Sequence, residues 1–315
     1  MIQVDLITGF LGSGKTTFLK RYARYLTAQG QKIGILENDY GAVNVDMLLL
    51  RELEGDNCGL DMVAGACDAD CHKRRFKTKL IALGMSGYDR VLIEPSGVFD
   101  IDEFFDSLYE EPLDRWYEIG SVIAVVDANL ENGLSPSADY LLASQAANAG
   151  KIILSKTQFA SAQETENTVS HIEQALREVR CSRQIRGDVI SKAWDDFTDA
   201  DFAAVENAGY VSESYVKRGS TDDSGFQTLY FMNQPLRPEA IREQARTVFE
   251  NPRCGNVFRV KGFLRDGDGW LELNATRQST ELKPIAHGQE ILIVIGEGLK
   301  EAEIRGVFEQ DEILP

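Results

Sequence analysis

The amino-acid sequence predicts an α/β fold, a mostly parallel sheet covered by helices, with a small α+β domain after it. Three observations carry that expectation. Short β-branched runs alternate with amphipathic stretches over the first two-thirds of the chain. A polar, turn-rich stretch without period, Ser212–Gly225, breaks the alternation. Beyond it, strand-like runs follow one another between helical ones. At 315 residues, and with about 150 residues per domain as a guide, two domains are expected: 1–210, a linker over 211–225, and 226–315.

The first run, Ile2–Ile7, has no basic segment before it of the kind a signal peptide carries, and reads as a strand. Further buried strands are expected at Lys32–Leu36, Val91–Ile93, Val122–Val126 and Ile152–Leu154, each short, apolar and bounded by Gly, Asn or Pro. Between them Phe18, Leu19, Tyr22, Ala23 and Leu26 fall on one face of a helix. Val169, Ile172, Leu176 and Val179 fall on one face of another, opened by Ser161 and Glu164 as a capping box. After the linker come a strand at Phe226–Phe231 and a helix carrying Ile241, Ala245, Val248 and Phe249 on one side. Strands at Val257–Phe263, Trp270–Asn274 and Glu290–Ile295 and a helix over Leu299–Glu309 complete the chain.

Composition excludes several classes. Apolar residues at 43% and charged residues at 26% are ordinary globular values. No run approaches the roughly 18 apolar residues of a bilayer span. The 33 Lys+Arg against 50 Asp+Glu leave a formal net charge of −17, which repels nucleic acid and anionic membranes unless a basic patch is set aside. The densest basic run, Lys73-Arg74-Arg75 with Lys77 and Lys79, reads as a solvated helix face. Five Cys, an odd number, suggest a reducing cytoplasm and thiols kept for packing or metal. Cys181 and Cys254 read as packing, and His171 and His287 as solvated.

Directly after the first strand, Gly9-Phe10-Leu11-Gly12-Ser13-Gly14-Lys15-Thr16-Thr17 satisfies G-x4-G-K-S/T. Glycines let backbone N–H groups converge on an anion, Lys15 reaches the outer phosphates, and Thr16 offers a hydroxyl to Mg²⁺ at the positive end of the next helix. This spacing predicts the phosphate loop of a P-loop NTPase. Its partners should sit at neighbouring strand ends. Glu94 is placed to hold Mg²⁺ or its water, and the Gly97 N–H to sense a γ-phosphate, while Glu37 and Asp39 supply carboxylates to the same ledge. Ser155-Lys156-Thr157-Gln158 has the position of a base-reading loop. Gln158 stands where guanine-binding proteins carry Asp, so its amide suits adenine as well as guanine.

A second cluster, Cys67-Asp68-Ala69-Asp70-Cys71-His72, offers two thiols and an imidazole suited to Zn²⁺ or another divalent transition metal, with Cys58 as a further candidate ligand. It lies between Asp39 and Glu94, the segments expected to rearrange with nucleotide state.

Together these motifs resemble the CobW-type P-loop GTPases, relatives of the urease and hydrogenase nickel-insertion GTPases. TGFLGSGKTT, ENDYG, VLIEPSG, the VVDA run at Val125–Ala128, Ser144-Gln145 and ILSKTQ occur in that family's order, and the end of the chain is similar to its small C-terminal domain. The resemblance implies slow hydrolysis of GTP, with ATP also compatible, coupled to delivery of zinc, cobalt or a metal cofactor to a client protein. It assigns Gly12–Thr17 to phosphates, Thr16, Glu37, Asp39 and Glu94 to Mg²⁺ and the switch region, Ser155–Gln158 to the base, and Cys67 and Cys71 to the metal loop. It departs from the family where Ala66 replaces a Cys and the remaining pair is spread to C-x3-C. Pairing across the nucleotide would make the protein a nucleotide-dependent homodimer. Two other readings stay open: an activator that remodels an enzyme or cofactor protein without metal cargo, and a small-molecule kinase.

Overall fold

Alternation within each buried strand decides the layers. The computed structural model describes residues 1–38, 45–63, 69–99, 101–131, 133–217, 225–232 and 236–309. It divides into two compact units, Met1–Arg218 and Gly219–Pro315. The first unit holds seven strands, β1 (Ile2–Thr8), β2 (Ile33–Asn38), β3 (Cys58–Val63), β4 (Arg90–Pro95), β5 (Tyr117–Asp127), β6 (Lys151–Ser155) and β7 (Val189–Ser191). Their order is β3-β2-β4-β1-β5-β6-β7, and every neighbouring pair is parallel. All strands therefore point their C-terminal ends at one edge, where ligands of open α/β sheets bind.

Eight helices of this unit are described: α1 (Lys15–Ala28), α2 (Val45–Leu50), α3 (Ala69–Gly84), α4 (Ile101–Leu108), α5 (Leu113–Trp116), α6 (Pro136–Ala147), α7 (Ala162–Glu178) and α8 (Asp199–Glu206). Phe18, Leu19, Tyr22, Ala23 and Leu26 of α1 pack with α8 onto Ile7, Ile35, Leu92 and Val125. Helices α3, α4, α6 and α7 cover the other face, over Leu6, Leu36, Val91, Ile93 and Leu154. Successive residues of one strand thus serve opposite layers. The expected capping box at Ser161 and Glu164 opens α7. Five strands lie where the hydrophobic runs predict them, and the structure adds β3 and β7 at the two edges.

After α8, Tyr210 bridges Ala149, and residues 211–217 run on without regular structure, held to the first unit by backbone bonds. Val211 N–H donates to Asn148 O at 3.0 Å and Val216 N–H to Val179 O at 2.7 Å.

The second unit carries strands β8 (Phe226–Met232), β9 (Asn256–Asp266), β10 (Gly269–Ala275), β11 (Thr280–Ile285) and β12 (Ile291–Glu297), with helices α9 (Ile241–Glu250) and α10 (Glu301–Glu309). The order β11-β10-β9-β12-β8 is antiparallel throughout. Ile241, Ala245 and Val248 of α9 and Ile304 and Phe308 of α10 bury one face of the sheet. Strand β11 joins the four that the sequence predicts. Among the described residues no helix is long and apolar enough to cross a membrane.

Candidate functional site

The loop from Gly9 to Gly14 turns β1 into α1. Gly9, Gly12 and Gly14 all have positive φ, and Gly14 is the left-handed N-cap of the helix. At Gly9 the requirement is also spatial, because a Cβ there would lie 2.1 Å from the Val125 carbonyl oxygen. Lys15 is buried and its Nζ donates to Gly9 O at 3.0 Å, so the ammonium lies across the loop. Thr16, one residue on, directs its hydroxyl at Glu94 Oε1, 2.8 Å away. Thr17 faces outward from the first turn.

The neighbouring strand ends complete the ledge. In the β2–β4 register Glu37 stands opposite Glu94 and Asn38 opposite Pro95. Both carboxylates are buried, on the α1 side of the sheet with Ile35 and Leu92 two residues before them. Like charges set opposite one another across two strands are unfavourable, and a divalent cation relieves them. The hydroxyl of Thr16 and these carboxylates are hard oxygen donors of the kind Mg²⁺ takes. The Ser96 N–H donates to Asn38 O at 2.9 Å, tying the turn after β4 to the end of β2. Gly97 then passes so close to the phosphate loop that a Cβ would lie 2.7 Å from Leu11 N. The structure therefore brings Gly9, Gly12, Ser13, Gly14, Lys15, Thr16, Glu37, Glu94 and Gly97 to one edge. Asp39 lies outside the described residues.

The base-loop candidates close on the same place from β6. Ser155 is buried and its hydroxyl donates to Val126 O at 3.3 Å. A Cβ on Gly14 would lie 3.7 Å from the Ser155 β-carbon and 3.9 Å from the Trp194 ring. Lys156 takes φ 56° and its Nζ pairs with Asp127 Oδ2 at 2.7 Å, which fixes its stem. Gln158 is exposed. Trp194 is the residue the sequence reading missed. It follows β7, its carbonyl accepts from Arg21 at 2.9 Å, and its ring lies against Phe18 and Phe197 at 5.7 and 5.6 Å. No motif marks it, because its position depends on β7 lying beside β6.

The thiol cluster is only partly placed. Cys67 lies outside the described residues. Cys71 and His72 occupy the first turn of α3, Cys71 half-buried and His72 fully buried, with His72 Nδ1 3.5 Å from Glu103 Oε1. Among the described residues no three or more His, Cys, Asp or Glu side chains come together as a metal site. Cys58 is corrected from candidate ligand to core. It opens β3 at the edge opposite the ledge, about 17 Å of strand from Val63, and burial pushes its thiol up to about 11.

The remaining side calls resolve simply. Cys181 and Cys254 are buried packing. His171, expected to be solvated, pairs with Asp139 at 2.7 Å and is half-buried. The basic run pairs locally, Lys73 and Lys77 with Glu110 and Lys79 with Asp61.

A parallel sheet whose first turn is a glycine cradle holding Lys15 and Thr16, flanked by carboxylates at the next strand ends, defines a P-loop nucleotide hydrolase. The chain belongs to the CobW/HypB/UreG family, whose nucleotide-binding-domain model matches residues 3–186. It is 31% identical to the zinc chaperone YjiA of Escherichia coli over half of either chain. It is 28% identical to the zinc chaperone YeiR of the same organism, over 90% of this chain and 88% of that one. It is 22% identical to the zinc-regulated GTPase metalloprotein activator 1 of Schizosaccharomyces pombe, over 90% of this chain and 77% of that one.

Proposed function

We propose that this chain is a GTP-hydrolysing metallochaperone of the reducing cytoplasm that takes a divalent transition metal, zinc first, to a client protein. The carrying observation is the adjacency of three strand ends. Asn38 pairs with Pro95 on one side and with Val63 on the other. The chain therefore leaves the sheet toward Asp39, toward Cys67 and toward Gly97 from neighbouring positions. A change at the phosphate end of one segment is transmitted to the next through the Ser96–Asn38 bond and the strand ladder.

In this reading Gly9–Thr17 hold the phosphates and Lys15 draws charge from the outer ones. Thr16, Glu37, Asp39 and Glu94 hold Mg²⁺, which when bound offsets phosphate charge. The Gly97 N–H reports the γ-phosphate and Ser155–Gln158 face the base. Cys67, Cys71 and His72 take the cargo as thiolate and imidazole ligands. The curated relatives carry the zinc and GTPase assignments in their names, which supports both. Pairing of two copies across the nucleotide belongs to the same reading.

Calorimetric titration of Zn²⁺ into the protein with Mg·GTP analogue, Mg·GDP or no nucleotide tests it. Affinity should differ by about tenfold or more between two of these states, about 1.4 kcal/mol of coupling. The Cys67→Ser/Cys71→Ser double variant should lose the tight site. Equal affinity in all three states overturns the reading.

A further inference from the structure

The second unit carries a recess that nucleotide chemistry does not use. It has a volume of about 540 Å³ and lies between α9 and the turn that joins β10 to β11. Arg242 and Arg246, one helical turn apart on α9, share it with Arg277 from the turn, and Phe249 supplies an apolar wall. Glu243 and Glu250 stand among the lining residues. In a chain of net charge −17, three guanidiniums around one recess are a local reversal of sign. On α9 Arg246 is paired with Glu243, so the excess of positive charge comes from Arg242 and from Arg277 across the recess.

The guanidiniums are held in place. Arg242 donates to Thr280 O at 2.6 Å, and Arg277 donates to Val257 O at 3.3 Å and to Asn256 Oδ1 at 2.6 Å. Arg246 is held by Glu243 at 2.5 Å. A guanidinium carries five N–H donors in a rigid fork that matches a carboxylate with two parallel bonds. Fixing it beforehand on backbone carbonyls lowers the entropy lost on binding. A short segment carrying separate carboxylates and an apolar side chain satisfies both the arginines and Phe249.

We propose that this recess is a docking site for an acidic peptide segment of a partner protein, with carboxylates on Arg242, Arg246 and Arg277 and an apolar side chain against Phe249. The proposal does not depend on the metallochaperone reading, because the site lies wholly in the second unit and its test needs no nucleotide or metal.

The probe is a fluorescein-labelled hexapeptide of alternating glutamate and leucine, titrated with the full chain and read by anisotropy. Saturable binding is expected at low salt and should weaken as ionic strength rises. Arg246→Glu, on an exposed side chain, should weaken it by about tenfold or more, the loss of one charge-assisted pair. Arg242→Lys should weaken it about threefold, because lysine keeps the charge and loses the fork. Lys283→Glu, outside the recess, should leave it unchanged. Overturning results are absence of binding to 1 mM peptide, equal binding by wild type and Arg246→Glu, or equal binding of an alternating lysine–leucine peptide. Competition by inorganic phosphate at the same concentration as the peptide would likewise overturn it in favour of a simple anion site.

Discussion

The two ends of the parallel sheet treat buried carboxylates in opposite ways. Toward the N-terminal end, Asp5 of β1 is fully buried and accepts from Arg90 Nη1 with both oxygens at 2.7 Å, from Tyr22 Oη at 2.8 Å and from the Ser121 N–H at 2.8 Å. Arg90 goes on to Gln31 and Glu206, so strands β1, β4 and β5 and helices α1 and α8 meet in one polar cluster. At the C-terminal end, four residues along the same strand β4, Glu94 accepts from a neutral hydroxyl and faces Glu37 in register. One end matches its carboxylate with a guanidinium and closes the set. The other sets two carboxylates opposite one another in register, at the edge that carries the glycine cradle. Burial alone therefore does not mark a functional carboxylate, whereas the charge of the side chains around it does.

The largest expected effect is at the closed end. Arg90→Met leaves the Asp5 carboxylate buried without its guanidinium and should cost about 3–5 kcal/mol of stability, read by urea unfolding. Nucleotide affinity of the folded fraction should be unchanged, and an affinity loss there would erase the division between the ends.

At the open end Lys15→Ala should lower GTP hydrolysis by about a hundredfold, the scale of removing one preorganised positive group from developing charge. Urea unfolding of the unliganded protein should barely move. Retained turnover would place the phosphates elsewhere.

Glu94→Gln sharpens the contrast further. It should weaken the Mg²⁺ dependence of nucleotide binding by about tenfold while raising the melting temperature in EDTA, because a like-charge pair is removed. A lowered melting temperature in EDTA would show that Glu94 is structural, as Asp5 is.

The smallest effect tests a carboxylate away from both ends. Asp201 bonds Lys192 first, then the Thr198 backbone and hydroxyl, which hold its carboxyl down at about 2. A depressed carboxyl stabilises the fold above the ordinary carboxylate range and loses that contribution as pH falls toward 2. Asp201→Asn should flatten the acid limb of stability between about pH 4 and pH 2 by less than about 1 kcal/mol, measured by thermal melts across that range.

What could be read beforehand follows the same physics. Central strands such as Val91–Ile93 and Val122–Val126 are buried on both faces and appear as unbroken apolar runs. The three strands that the sequence does not reveal, β3, β7 and β11, all lie at sheet edges. Cys58–Val63 mixes Gly and Asp into a half-exposed pattern, Val189–Ser191 is three residues long, and Thr280–Ile285 contains Pro284. The phosphate loop was legible because its chemistry is local, with Lys15 and Thr16 adjacent in sequence. Trp194 was not, since its place beside Gly14 depends on β7 pairing with β6. The opposition of Glu37 and Glu94 needs strand register, which no motif carries. The Asp5–Arg90 pair spans 85 positions and was hidden for the same reason.

Strand β3 has only β2 beside it. Its outer amides are unshared with another strand, while Cys58 and Val63 pack into the core. The sequence after Val63 thus follows an edge strand, while β1 and β4, which carry the glycine cradle and Glu94, are flanked on both sides.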